Sequence, residues 1–162
     1  GAGALMDYCC YGANLAGLLL GMPQNVLGVT GRLVKREIPV DDNALVVMTY
    51  PNAVAVAEAS WTQIGKLTGY ITVLYGTRAT LMVEPRAGGR LWMATAEEPE
   101  GVEVEVPVPS PQMADPAAHF AWAIATGEPF WHICRAENCQ NAQEILEAAM
   151  VSSQSGHLVS PR

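Results

Sequence analysis

Residues 1–21 read GAGALMDYCCYGANLAGLLLG, and the organisation of the chain follows from this stretch outward. Apolar residues at Leu5, Tyr8, Cys9, Leu15, Ala16 and Leu19 recur with the 3.6-residue period, which predicts a helix over residues 4–20. Gly21 ends it and Pro23 keeps it from resuming. Asp7, Tyr11 and Asn14 stand at i, i+4 and i+7, so they share one stripe of that helix.

Beyond the helix the pattern changes to strands. Candidates are Val26–Lys35, the apolar run Ala44–Tyr50 closed by Pro51-Asn52, and Val54–Thr62, where Ala alternates with other residues. Tyr70–Tyr75 and Thr77–Glu84 flank Gly76, and Arg90–Thr95 follows Gly88-Gly89. Val102, Val104 and Val106 alternate with Glu103 and Glu105, predicting a strand wet on one face and buried on the other. Prolines 107, 109 and 111 stop the sheet. Asp115-Pro116 then opens a helix running to Gly127, with Asp as cap and Pro at the first position. A last helix over 135–151 puts Ala142, Ile145, Leu146, Ala149 and Met150 on one face.

Helices at the ends around successive strands predict an α+β fold: a single mostly antiparallel or mixed sheet of about seven strands, with helices covering one face. The uncovered face is expected to serve association, since the alanines over 53–59 let another layer approach. At 162 residues the chain fits one domain, predicted over 1–156, with 157–162 as a disordered tail.

The formal net charge is −7. Residues 1–81 are neutral, with five acids and five bases, so 82–162 carry the whole imbalance. Five of the acids fall between Glu97 and Glu105 and read as a solvated strand and loop. The sole short basic group in the sequence is Arg32, Lys35 and Arg36, so a nucleic-acid partner is not expected. A membrane partner is not expected either, because no apolar run approaches the ~18–20 residues of a span. Cys9, Cys10, Cys134 and Cys139 do not form a disulfide framework, which favours a reducing cytoplasm.

A carboxylate, a phenol and an amide on one stripe suit a sugar, and the Tyr11 phenol is a candidate general acid with Asp7 orienting it. The alternative is a solvated helix face. Gly1-Ala2-Gly3 lacks the preceding strand and third glycine of a dinucleotide fingerprint, so close backbone approach is the expectation there. His132, Cys134 and Cys139 match no zinc spacing, and no metal is expected. His119 reads as a core or edge histidine. Trp61 and Trp131 are weighed between packing and ligand stacking, Trp131 being the stronger stacking candidate because it lies in a Pro-containing loop.

GAGALMDYCCYGANLAGLLLG resembles the start of the C-terminal domain of Gfo/Idh/MocA oxidoreductases, in a branch like glucose–fructose oxidoreductase. The likeness continues at VDDNALVVMTYPNAVAVAEASWT (40–62), YGTRATLMVEP (75–85), HFAWAIATGEPF (119–130) and RAENCQNAQEILEAA (135–149). The resemblance implies a substrate-binding and oligomerisation domain, with NAD or NADP held by an N-terminal Rossmann domain that is absent from these residues. It implies Tyr11 as the proton donor or acceptor, Asp7 and Asn14 as polar residues of the substrate site, and a domain that often forms the oligomer interface. With the residue reading above, the expected catalytic residues are Tyr11 and Asp7, the expected substrate-binding residues Asn14, Trp61 and Trp131, and the expected assembly a homo-oligomer, dimer or tetramer, formed through the open sheet face. The resemblance also implies a small sugar or polyol as ligand, and no cofactor bound by this chain alone. In two places the sequence departs from the pattern: the family usually has Gly at Cys9 and a larger residue, often Arg, at Gly17. Neither the fingerprint glycines nor the E-K-P lysine motif is present, so hydride transfer by this chain alone is not expected. Two other functions suit the same residues: a cofactor-independent hydrolase or lyase acting through Tyr11 and Asp7, and a purely structural oligomerisation module.

Overall fold

The computed structural model describes residues 2–65, 69, 71–84 and 89–162. Its elements are α1 (Ala4–Leu20), β1 (Asn25–Gly31), β2 (Asn43–Thr49), β3 (Val54–Ser60), β4 (Thr72–Tyr75), β5 (Thr80–Val83), β6 (Leu91–Ala94), β7 (Val102–Val104), α2 (Pro116–Thr126) and α3 (Ala136–Ser155). Single 3-10 turns lie at Pro111–Met113 and His132–Cys134. The chain forms two compact units, residues 1–63 with 120–162, and residues 64–119.

In the first unit β1, β2 and β3 form an antiparallel meander with α1 and α3 packed on one face. β2 alternates strictly: Ala44, Val46 and Met48 are buried while Leu45 and Val47 turn to the other face. β3 inverts the usual size rule. Its alanines point inward and Val54 and Val56 point out, 66% and 59% exposed. The inward side is small because α1 comes close: a Cβ on Gly12 would lie 2.5 Å from the Ala57 methyl. Likewise a Cβ on Gly28 would overlap the backbone carbonyl of Ala149, so α3 rests directly on β1. Leu5, Cys9, Val26, Met48, Ile145 and Leu146 fill the centre of this core.

The second unit is a four-stranded antiparallel meander, β4-β5-β6-β7. Gly76 N–H closes the β4–β5 turn on the Ala79 carbonyl. Asp115 Oδ1 accepts from Ala118 N–H at 2.8 Å, capping α2 as the sequence predicts.

Several expectations are corrected. The strands form two sheets of three and four, not one of seven. After Ser60 the chain turns away, with Ser60 and Thr62 hydroxyls 2.9 Å apart, and among the described residues β3 pairs with β2 alone. β1 stops at Gly31 rather than Lys35, because Asp42 draws the Leu33, Val34 and Lys35 amides into a turn. The valine face of the last strand is not buried, since Val102 and Val106 are 40% and 58% exposed on an edge. Leu19 and Met150 are exposed where the helical period placed them inward. Residues 157–162, predicted as a disordered tail, hold an antiparallel bridge to β1, with Val26 N–H 2.8 Å from the Val159 carbonyl. Tyr70 and Gly88, which the sequence assigns to a strand and a turn, lie outside the described residues.

Candidate functional site

α1 begins against Asp41. The Asp41 carbonyl accepts from Ala4 N–H at 2.9 Å and its carboxylate accepts from Leu5 N–H at 2.7 Å. Gly3 is buried, and a Cβ there would overlap that carboxylate. The glycine entry therefore serves close approach, as the sequence predicts for Gly3; Gly1 lies outside the described residues. A negative charge at a helix N-terminus offsets the helix dipole and repels a phosphate. Together with the lack of fingerprint glycines, this makes the entry a poor fit for the pyrophosphate of a dinucleotide.

One turn on, the polar stripe starts in solvent and winds inward. Asp7 is exposed and Tyr11 is 69% exposed, its ring 6.5 Å from that of Tyr8. No hydrogen bond joins Asp7 to Tyr11 among the described residues. Asn14 is half-buried in the seam between α1 and α3. Asn138, a buried polar residue on α3, donates through Nδ2 to Asn14 Oδ1 at 2.5 Å and to the Asn14 carbonyl at 3.2 Å. Asn14 Nδ2 approaches Cys139 Sγ at 3.9 Å. The turn at His132–Cys134, which begins immediately after the exposed Trp131, contacts both α1 and α3.

Trp61 sits just past β3. Its ring packs against the buried core cluster, with the Lys35 ammonium 6.0 Å from the ring centroid. Its amide donates to the Asp42 carbonyl at 2.8 Å. Burial alone would raise the Asp42 carboxyl pKa. Hydrogen bonds from the Leu33, Lys35 and Val34 amides and from Asn43 overcome that and hold the carboxyl well below the usual carboxylate range. On the inner face of α1, Cys9 Sγ faces the Ala57 carbonyl at 3.7 Å, and burial pushes its thiol up to about 11. Such a thiol is a packing residue and a poor nucleophile at neutral pH. His119 is buried, consistent with a core histidine.

The structure thus brings Asp7, Tyr11 and Asn14 onto one helix edge, with the Trp131 turn against the same helix. The residues that sequence reasoning missed are Asn138 and Asp41. For Asn138 a signal existed: with Ala142, Ile145 and Ala149 it completes the apolar stripe of α3, and a polar residue at a core position needs a partner. No group of three or more His, Cys, Asp or Glu among the described residues is arranged to hold a metal ion. No helix among them is long and apolar enough to cross a membrane.

A family model described as GFO/IDH/MocA C-terminal domain matches residues 1–82. No curated protein matches the sequence. Among solved structures, the chain is similar to levoglucosan dehydrogenase in complex with NADH, at 21% identity and a TM-score of 0.78, over 100% of this chain and 51% of that one. The same enzyme solved with NADH and levoglucosan gives 21% identity and a TM-score of 0.76, over 99% and 50% of the two chains. Aldose-aldose oxidoreductase from Caulobacter crescentus, complexed with glycerol, gives 19% identity and a TM-score of 0.76, over 97% and 47%. At these identities the likeness is one of fold, and the chain spans about half the length of these structures.

Proposed function

Since the chain belongs to the GFO/IDH/MocA C-terminal domain family, we propose that it supplies the substrate-binding and oligomerisation part of an NAD(P)-dependent oxidoreductase acting on a sugar or polyol. The observation that carries this reading is the edge of α1, where Asp7 and Tyr11 face solvent and Asn14 is clamped from α3. A hydroxyl-rich ligand needs several acceptors and donors spaced along a few ångströms, and that edge offers a carboxylate, a phenol and an amide. Tyr11 exchanges the proton of a substrate hydroxyl, Asp7 accepts a hydrogen bond from a neighbouring hydroxyl, and Asn14 binds a third oxygen. Trp61 and Trp131 are assigned as flanking apolar contacts. That levoglucosan, L-sorbose and glycerol are bound by fold relatives supports the ligand class.

The α1 entry, where the Asp41 carboxylate accepts from Leu5 N–H, is a poor fit for a pyrophosphate, so no part in holding NAD(P) and no hydride transfer is assigned to it. A cytoplasmic location belongs to the same reading and is supported by cysteine spacing without a disulfide framework. The test is absorbance of NADH during incubation of the chain with NAD and levoglucosan, L-sorbose or glucose. No turnover is expected from these residues alone, and robust turnover would overturn the assignment.

A second role is favoured by the outer face of the three-stranded sheet. Leu27, Val47 and Val56 form one cross-strand row there, flanked by Val29 and Val54, which are 54% and 66% exposed. A contiguous apolar face of this kind is what an association surface requires. Assembly of the chain into a dimer or tetramer through this face is part of the proposal, read by light scattering.

A further inference from the structure

Asn138 holds Asn14 by two hydrogen bonds from one nitrogen, and their chemistry fixes which way the Asn14 amide points. The Asn14 backbone carbonyl can only accept, so the group 3.2 Å from it is the Asn138 NH2. That NH2 can only donate, so Asn14 turns its Oδ1 toward it, at 2.5 Å. The Asn14 NH2 is thereby turned from Asn138, with Cys139 Sγ on α3, a weak acceptor, 3.9 Å off. An amide NH2 carries two N–H groups, and the second meets no protein acceptor among the described residues. Gly17 faces the same seam, where a Cβ would lie 3.4 Å from Asn138 Oδ1, in ordinary contact. The clamp is buried on its α3 side, so water competes poorly for it.

We propose that Asn138 is a positioning residue that fixes Asn14 as a hydrogen-bond donor toward a ligand oxygen on the exposed edge of α1. The site then selects a ligand with an accepting oxygen at that point, such as a hydroxyl, ring or bridging oxygen. The choice of ligand rests on the sugar-binding reading above; the orientation of Asn14 does not.

The test uses NMR of the 162-residue chain with levoglucosan as probe. In the wild type, the Asn14 side-chain NH2 protons should show a nuclear Overhauser contact to the Cys139 β-protons, and levoglucosan should shift the Asn14 NH2 resonances. Asn138→Asp replaces the donor by an acceptor at the third position of α3, where an acidic residue suits the helix N-terminus. The Asn14 amide should then reverse. The Cys139 contact should vanish and levoglucosan affinity should fall about three- to tenfold, the loss of one hydrogen bond, with backbone resonances elsewhere unchanged. Asn14→Asp keeps the acceptor for Asn138 and removes the donor, so it should lose the same affinity while the Asn138 NH2 resonances stay in place. Retention of both the Cys139 contact and the affinity in Asn138→Asp would overturn the positioning role. A wild type that shows the Cys139 contact but no levoglucosan response would retire the sugar reading and the donor role while leaving the orientation of Asn14 standing.

Discussion

Asp41 and Asp42 are neighbours in sequence with separate duties. Asp41 caps the first turn of α1, and Asp42 is fully buried, gathering three successive amides of the turn after β1. Neither duty was legible, because each depends on which backbone amides the fold brings near. The same holds for Glu84, which accepts from Arg90 Nε at 3.0 Å, Arg90 Nη2 at 2.8 Å and Trp92 Nε1 at 3.1 Å. The Arg90 guanidinium, then the Trp92 indole, bring the Glu84 carboxyl from its ordinary 4.5 down to about 2. Because the folded value is depressed, this clasp contributes fully above about pH 4.5 and is lost as pH falls through about 2. The Trp92 indole N–H resonance should therefore hold its position down to pH 3 and move with a midpoint near 2. In Glu84→Gln that movement should be absent.

At the scale of elements, the helices and the first three strands were readable because each carries a strong local period. α1 shows it between its glycine entry and Gly21, β2 in its alternation, and α2 in its Asp115 cap. Packing distance was readable only in part. The alanines of β3, expected to let a layer approach on the uncovered face, point inward instead, and the close layer is α1, over Gly12 and Ala57. Gly28 makes the matching prediction. Gly28→Ala should push α3 off β1 and cost about 3 kcal/mol in urea unfolding, since the obstacle is backbone and cannot rotate away. Ile145→Ala, which only empties space in the same seam, should cost about 2–5 kcal/mol yet leave the α3 backbone resonances near Gly28 in place.

At the scale of the molecule, the division into two sheets was not legible. Sequence order shows that β4 follows β3, but which strands share a sheet is a long-range outcome that no local period encodes. The outer face of the first sheet was foreseen as open, and Val29, Val54 and Val56 on it are exposed. If that face assembles copies of the chain, Val56→Lys should shift light-scattering mass from an oligomer to the 17.3 kDa monomer without lowering the unfolding midpoint of the monomer. An unchanged mass would move the association surface elsewhere.

The proposed role of the exposed α1 edge is to bind a sugar or polyol. Its most direct test is a levoglucosan titration followed by amide NMR, in the wild type and in Tyr11→Phe. Shifts should concentrate at residues 7–14 and 138–139, with affinity reduced about three- to tenfold in Tyr11→Phe and no change of fold, Tyr11 being an exposed side chain. Shifts that are absent at saturating sugar, or that fall on other elements and are indifferent to Tyr11→Phe, would contradict it.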